Sequence, residues 1–270
     1  MSRREDASPT AAPVRPEPEV EEAFDRLVEE GADRLARPML PLVSTGLLGG
    51  IDVGTGVLAY LVVHQRTGST LLAGLAFSIG FVALLLARSE LFTENFLVPV
   101  TTCVAGRGSW ASLLRLWGVT LVANLVGGWV MAWLVITALP GLAETAVETG
   151  THYATLGFTL SSFSLAVLAG VVITLMTRMQ HGTDSQGVKL VPAVLFGALL
   201  AAGQLFHSVL DSILMFAALV AGAPFGYLDW FGALLWASAG NMVGGLVLVA
   251  GIRLLRVSHK VAQERSEDGG

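Results

Sequence analysis

The stretch "SELFTENFLVPV", residues 89–100, interrupts a long apolar region of the chain. It holds two acids, an asparagine and a proline, yet the sequence is hydrophobic on both sides. A straight helix from Ser69 to Ala105 would be about 55 Å long, whereas the hydrocarbon core of a bilayer is about 30 Å thick. Non-helical backbone at membrane depth is tolerated only inside protein or along a cavity. We therefore predict that the helix breaks here and that the break is buried in the protein.

The composition is that of a polytopic helical membrane protein. Hydrophobic residues make up 53% of the 270-residue chain and charged residues 14%, whereas about one-quarter of a soluble domain is charged. Six apolar segments have the length of a membrane span, and we place them at 39–63, 68–88, 111–139, 154–178, 188–220 (interrupted) and 230–252. We divide the chain into a disordered tail (1–18), an amphipathic helix (19–37), a membrane domain (38–256) and a second tail (257–270).

The predicted amphipathic helix has apolar residues near helical spacing on one face and acids and arginines on the other. This pattern indicates a helix on the membrane surface or on a neighbouring subunit. Six spans place both termini on one side. Arginines and lysines concentrate in the connections on that side, so the positive-inside rule predicts cytoplasmic termini for a protein of the inner or plasma membrane.

A second break resembles the first. The apolar region from Val188 to Pro224 is also too long for one span, and polar residues again lie near its middle. Residues 91–93, Leu-Phe-Thr, are echoed by residues 205–207, Leu-Phe-His, and each copy is followed by the pattern Asn-x-Val-Gly-Gly, at Asn124 and Asn241. Each copy contains three spans, so the second enters the membrane from the opposite side. We predict an all-α fold, a three-plus-three inverted repeat with interrupted second and fifth helices.

An inverted repeat would bring its two breaks together near the membrane midplane. Thr93 and His207 would then face each other across one pore, and the N-termini of the half-helices would favour an anion. The glycines after each asparagine are typical of close helix contact. Asn124 and Asn241 themselves could brace the broken segments or contact the solute.

The motifs resemble those of the formate/nitrite transporter family. The match rests on Phe77–Gly80 (FSIG), Glu90–Thr93 (ELFT), the lone histidine in the second break, and the NMVGG that begins at Asn241. The resemblance implies an aquaporin-like arrangement of six spans, a homopentamer with one pore per protomer, and small monovalent anions or weak acids as solutes. It also implies roles for pore residues: Phe77, Phe81 and the position of Leu200 at the outer constriction, Leu91 and Phe92 at the inner slit, and Thr93, His207 and Asn241 at the centre.

The sequence departs from that family at several pore positions. Ala169-Gly170 stands where a Cys-Asn pair is frequent, and the lysine expected near the outer mouth is missing. Asp211 replaces an uncharged amide, and Glu94 adds an acid directly after the loop threonine. These differences indicate a divergent branch.

The candidate chemistry centres on His207. Histidine ordinarily titrates at about pH 6.5, so this side chain could lend a proton to a weak-acid anion, and Thr93 could hydrogen-bond the solute or the imidazole. Asp211 lies four residues further on and could orient and charge the histidine, pair with Arg88, or serve as an acid at a helix start.

Two other functions remain open, a pore for neutral small solutes and a non-conducting membrane scaffold or sensor. The sequence shows no catalytic constellation, no metal-site or cofactor spacing and no nucleic-acid signature, so we expect a protein that is not an enzyme. Solute flux would separate the transport functions from the scaffold.

Overall fold

A computed structural model describes the backbone of residues 18–268 and the side chains of residues 22–266. The predicted disordered tail, 1–18, therefore lies almost entirely outside the described residues. The described part is all-helical. In chain order the helices are α1 Pro18–Ala36, α2 Met39–Thr67, α3 Thr70–Ala87, α4 Val98–Val104, α5 Trp110–Ala138, α6 Ala143–Ala154, α7 Leu160–Gln180, α8 Gln186–Ala202, α9 Ser208–Val220, α10 Tyr227–Met242, α11 Ile252–Arg256 and α12 Ser258–Asp268. A π-helical segment, Val243–Gly251, joins α10 to α11.

Five helical segments are long and apolar enough to cross a membrane: α2, α3, α5, α7 and the continuous rod Tyr227–Arg256. They correspond to five of the predicted spans. The interval predicted as an interrupted span, 188–220, contains α8 and α9, which are shorter apolar helices. The loop between them contains Gln204, which has a positive φ of 48°.

The prediction for 154–178 was wrong at its start. The spanning helix α7 begins at Leu160, because Thr159 caps it with a side chain that accepts the N–H of Ser162. Residues 143–154, predicted as a connection, form the separate helix α6, which packs on α9. Helix α6 could not be recognised from the sequence, because its acids and threonines interrupt the apolar pattern that is typical of a span.

Both breaks lie in the protein interior. Residues 89–103 and 205–218 are all buried. The first break starts where α3 ends at Arg88, a residue in the left-handed region with φ 53°, and continues through a 3₁₀ turn, Phe92–Phe96. Around the breaks, α2 packs on α3 and α5, α3 packs on α8, and α7 packs on α10. The surrounding helices therefore supply the protein environment that irregular backbone needs at membrane depth.

Helix α1 forms where the amphipathic helix was predicted, for which the sequence suggested a membrane surface or a neighbouring subunit as the support. It packs on α4 of its own chain, and Phe24 and Leu27 are fully buried. A Cβ at Gly31 would lie 2.0 Å from Thr102 Oγ1, and that hydroxyl donates a hydrogen bond of 3.0 Å to the Val28 carbonyl. The helix therefore approaches α4 too closely for a larger side chain at position 31.

Candidate functional site

The two breaks meet at one hydrogen bond. Thr93 Oγ1 and His207 Nε2 are 2.9 Å apart, although the residues are 114 positions apart in the chain. Both side chains are completely buried, with 0% exposure. The structure thus brings together the two polar residues that the repeat placed opposite each other.

The imidazole of His207 also caps α9. Its Nδ1 accepts the backbone N–H of Leu210 at 3.0 Å, so Nδ1 carries no proton in this arrangement. The neutral ring then has its proton on Nε2, and Nε2–H donates to the Thr93 hydroxyl. The proton that His207 can offer at the centre is therefore the one on Nε2.

Asp211 completes the turn at the start of α9. Its Oδ2 accepts the backbone N–H of His207 at 2.7 Å, whereas Oδ1 is buried and has no hydrogen-bond partner among the described residues. The side chain is 1% exposed. It does not pair with Arg88, one of the partners considered from sequence. One carboxyl oxygen therefore points into the interior beside the histidine without a donor.

Asn124 and Asn241 hold the two breaks with the same set of bonds. The Oδ1 of Asn124 accepts the N–H of Phe92 at 2.9 Å, and its Nδ2 donates to the carbonyls of Glu90 and Gly46 at 2.8 and 2.7 Å. Asn241 bonds the second break in the same way: it accepts the N–H of Ser208 at 3.0 Å and donates to Phe206 and Ala166 at 2.9 and 2.8 Å. Of the two roles left open by sequence, these contacts favour bracing.

These bonds correct the alignment of the two copies. The sequence motifs aligned Phe92 with Phe206, but the asparagine contacts align Phe92 with Ser208. This two-residue shift could not be predicted from the sequence, because the asparagines bond backbone atoms, which are the same in every residue type.

Glycines in the flanking helices are matched in the same manner. A Cβ at Gly50 would lie 2.1 Å from the Asn124 carbonyl oxygen, and a Cβ at Gly170 would lie 2.1 Å from that of Asn241. Gly170 is one of the departures from the family pattern noted above. In this chain its place is filled by the neighbouring backbone, so a side chain there would require the two helices to separate.

The residues expected at the outer constriction all belong to one buried core. The rings of Phe77 and Phe81 meet edge to face with centroids 5.5 Å apart, and Leu200 is fully buried in the same core. Of the pair expected at the inner slit, Leu91 is fully buried. Phe92 lines an apolar groove between α5 and α10, where its ring meets Phe96 edge to face at 5.1 Å.

A charged cavity of about 420 Å³ opens beside the first break, and its lining residues are too far apart in the sequence to be recognised as a group. Glu90, which is 3% exposed, lies between two arginines of the N-terminal region: its Oε1 is 3.3 Å from Arg34 Nη1, and its Oε2 pairs with Arg37. Arg34 also donates to the Asn95 side chain at 3.1 Å. These contacts connect α1 directly to the first break. The charged face of the predicted amphipathic helix was the only sequence signal for them.

The same cavity connects α1 to α7. Glu30 accepts a hydrogen bond of 2.9 Å from His181 and one of 2.5 Å from Arg34. Burial opposes the charge on Glu30, but the His181 hydrogen bond and the Arg34 charge outweigh it and lower the pKa of this carboxyl. For Arg34, desolvation is outweighed by Glu90 and Glu30, which raise the pKa of the guanidinium.

Three further features bear on what the site can bind. Tyr60 and Tyr153 interact electrostatically with Asp211. Asp52, an acid within α2, has one buried oxygen without a hydrogen-bond partner among the described residues. Within the same residues no three His, Cys, Asp or Glu side chains group as a metal site.

Membrane-length helices packed around two buried breaks define an integral membrane protein with the architecture of a channel or transporter. The family model described as "Formate/nitrite transporter" matches residues 21–255. The chain therefore belongs to the formate/nitrite transporter family, whose members are channels and transporters and not enzymes.

Individual relatives are distant. The chain is 25% identical to the inner membrane protein YfdC of Escherichia coli (strain K12), over 90% of this chain and 81% of that protein. Among solved structures it resembles an FNT family ion channel with a TM-score of 0.77 at 20% identity, covering 85% of this chain and 96% of the other. A pentameric formate channel with formate bound matches with a TM-score of 0.67 at 21% identity, covering 80% and 96%. These structures establish the shared fold.

Proposed function

We propose that the protein is a channel or transporter for a small monovalent anion or its weak acid, of the formate and nitrite type. The observation that carries the proposal is the fully buried Thr93–His207 hydrogen bond at the meeting point of two helix breaks. Family membership and the formate held by one structural neighbour support this solute class. Ionisable residues inside a membrane usually mark a transport pathway.

The proposed architecture is a six-span inverted repeat, in which α8 and α9 together form the fifth span. It is supported by the matched bonds of Asn124 and Asn241, which hold equivalent backbone atoms in the two halves. An even number of spans places both termini on one side, and the distribution of arginine and lysine makes that side the cytoplasm. The relative named as an inner membrane protein supports the same location for this chain.

In the proposed mechanism, passage is assisted by a proton at the central histidine. An anion that leaves water pays a large desolvation cost unless it is paired or hydrogen-bonded. The Nε2–H of His207 would turn from Thr93 to the solute, and the Thr93 hydroxyl would donate a second hydrogen bond. The Phe77–Phe81 cluster and Leu91 would exclude water on either side of this site.

We further propose a homopentamer, as in the pentameric formate channel that shares the fold. The apolar groove of about 730 Å³ between α5 and α10 would face lipid or a neighbouring protomer.

Flux into proteoliposomes tests the function. Purified protein would be reconstituted, and uptake of formate, nitrite, hydrosulfide and acetate measured at two pH values beside protein-free vesicles. We expect uptake of at least one solute that rises on acidification and falls by at least about tenfold in His207→Ala, the scale of losing one charge-assisted hydrogen bond of about 1.5–3 kcal/mol. His152→Ala, on α6, is the matched control. Absence of flux for all four solutes from a correctly assembled oligomer would reject transport of this class, and wild-type flux in His207→Ala would reject the central role of the histidine.

A further inference from the structure

Asp211, whose Oδ1 has no hydrogen-bond partner among the described residues, has an equivalent residue in the other half of the protein. In the alignment set by the asparagine contacts, Phe92 matches Ser208, so Asn95 matches Asp211, each three residues further on. Both side chains bond the backbone four residues earlier: Asn95 donates to the Leu91 carbonyl at 3.3 Å, and Asp211 accepts from the His207 N–H at 2.7 Å. The two residues therefore hold equivalent places beside the two breaks.

The two places differ in their second partner. The Oδ1 of Asn95 accepts a hydrogen bond of 3.1 Å from Arg34 of α1. No described residue plays the part of Arg34 for Asp211, and its Oδ1 is left buried and unpaired. A buried oxygen without a donor is costly, and an ionised carboxylate without a cation is far more costly. At the equivalent site beside the first break, the fold supplies Arg34 as a donor to Asn95. Because the described residues supply no such donor beside Asp211, its Oδ1 is free to bind a donor from outside the protein.

No cationic side chain among the described residues is paired with Asp211, whose Oδ1 has no hydrogen-bond partner and whose Oδ2 accepts a backbone N–H. The helices packed on α9 include α2, α5, α6 and α10. Among the titratable groups on these helices, Tyr60 of α2 and Tyr153 of α6 interact with Asp211 electrostatically, and neither side chain can carry a positive charge. At the start of α9 itself, the backbone N–H of His207 bonds Oδ2 of Asp211. The His207 ring cannot serve as the donor because its Nδ1 already accepts the Leu210 N–H. A proton is therefore the simplest positive charge that this carboxyl can hold.

We propose that Asp211 carries the proton that crosses with the solute, so that transport moves one proton with each anion. This inference rests on the proposed transport function and adds the residue that carries its proton. An arriving anion and the Asp211 carboxylic acid would share one proton in a hydrogen bond, as two acids in one site do. When the solute leaves as the neutral acid, the O–H bond of Asp211 breaks and the proton departs with it. A hydronium ion from the water on the entry side restores the proton, and the cycle moves no net charge.

Asp211→Asn is the informative variant, because its amide oxygen can still accept the His207 N–H while the exchangeable proton is lost. The same residue type already occupies the equivalent place at Asn95, so the fold tolerates it. Asp229→Asn is the matched control, since Asp229 also accepts a backbone N–H at a helix start, that of Gly226 at 2.8 Å, but is exposed. Size-exclusion profiles of both variants would first be compared with that of the native protein.

The test measures formate and acetate uptake into proteoliposomes with and without a potassium diffusion potential of 100 mV. One uncompensated charge would change the accumulation ratio about 50-fold at that potential. We expect native protein and Asp229→Asn to show no change, and Asp211→Asn to transport the anion with the full dependence on potential. Native uptake that follows the potential would overturn the proposal even if the variant does not fold. So would potential-independent uptake by a folded Asp211→Asn, whereas a lack of any native flux would remove the transport function itself.

Discussion

Replacing Asn241 with alanine would test whether the asparagines hold the interrupted backbone together. The change removes the acceptor of the Ser208 N–H and the donor to the Phe206 carbonyl, both in buried non-helical backbone. The third bonded group, the Ala166 carbonyl, lies within α7 and keeps its helical partner. Two buried backbone groups would therefore be left unpaired.

The size of the effect follows from those two groups. Each buried group left without a partner costs about 1–3 kcal/mol, so we expect a loss of about 4 kcal/mol in the free energy of unfolding. At about 2–4 °C per kcal/mol this corresponds to a decrease in melting temperature of about 10 °C. Thermal unfolding of the detergent-solubilised protein, followed by the fluorescence of its 6 tryptophans, would measure it.

Two companion variants define the outcome. Asn124→Ala should destabilise the protein to a similar extent, because it leaves the equivalent groups of the first break unpaired. Val243→Ala, two residues after Asn241 and 40% exposed, should stay within about 0.5 kcal/mol of the native protein. A decrease of less than about 3 °C in Asn241→Ala, equivalent to about 1 kcal/mol, would refute the bracing role and leave solute contact as the better explanation.

Two further predictions concern the docking of α1. Glu90→Gln removes the carboxylate between Arg34 and Arg37. Loss of one partner of a buried ion pair costs about 3–5 kcal/mol, and the remaining contact of Arg34 with Glu30 should reduce this cost to about 2 kcal/mol. The loss should be measurable as faster amide hydrogen exchange in α1. Unchanged exchange would contradict the pairing. Because the pKa of Glu30 is lowered from 4.5, its stabilising contribution is complete above that pH and is lost only as the pH falls below it. Glu30 is 43% exposed, so screening by solvent limits this contribution to about 0.5 kcal/mol. Amide exchange rates in α1, corrected for intrinsic pH effects, should be equal at pH 7 and 5.5 and rise below pH 4. Glu30→Gln should abolish that rise.

Much of the membrane architecture could be predicted from hydropathy. Spans are visible because bilayer-length apolar runs have a direct physical cause, and the breaks are visible because polar residues interrupt runs that are too long. The helix α6 could not be predicted in the same way, because its residues 143–154 are polar enough to read as a connection. The docking of α1 on its own chain was also hidden, since an amphipathic pattern shows that a face is buried without showing what covers it.

Only part of the candidate site could be predicted from the sequence. The meeting of Thr93 with His207 was predicted from the repeat, although the letters aligned the two copies differently from the backbone contacts. The family resemblance placed Phe77, Phe81 and Leu200 at an outer constriction; all three are buried in the core, and their role as a constriction stays a prediction. The position of Phe92 in a groove between α5 and α10 could not be read from its motif.

The sequence by itself determined that the chain lies in a membrane, that two of its long apolar regions are broken, and that polar residues mark both breaks. Each of these depends on the order of residue types along one segment, and the bilayer acts on every segment independently. Only the tertiary structure decided the tautomer of His207, the bracing by Asn124 and Asn241, and the unpaired oxygen of Asp211. Each of these is a question of which donor reaches which acceptor across helices, and that distance is set by packing rather than by any local pattern.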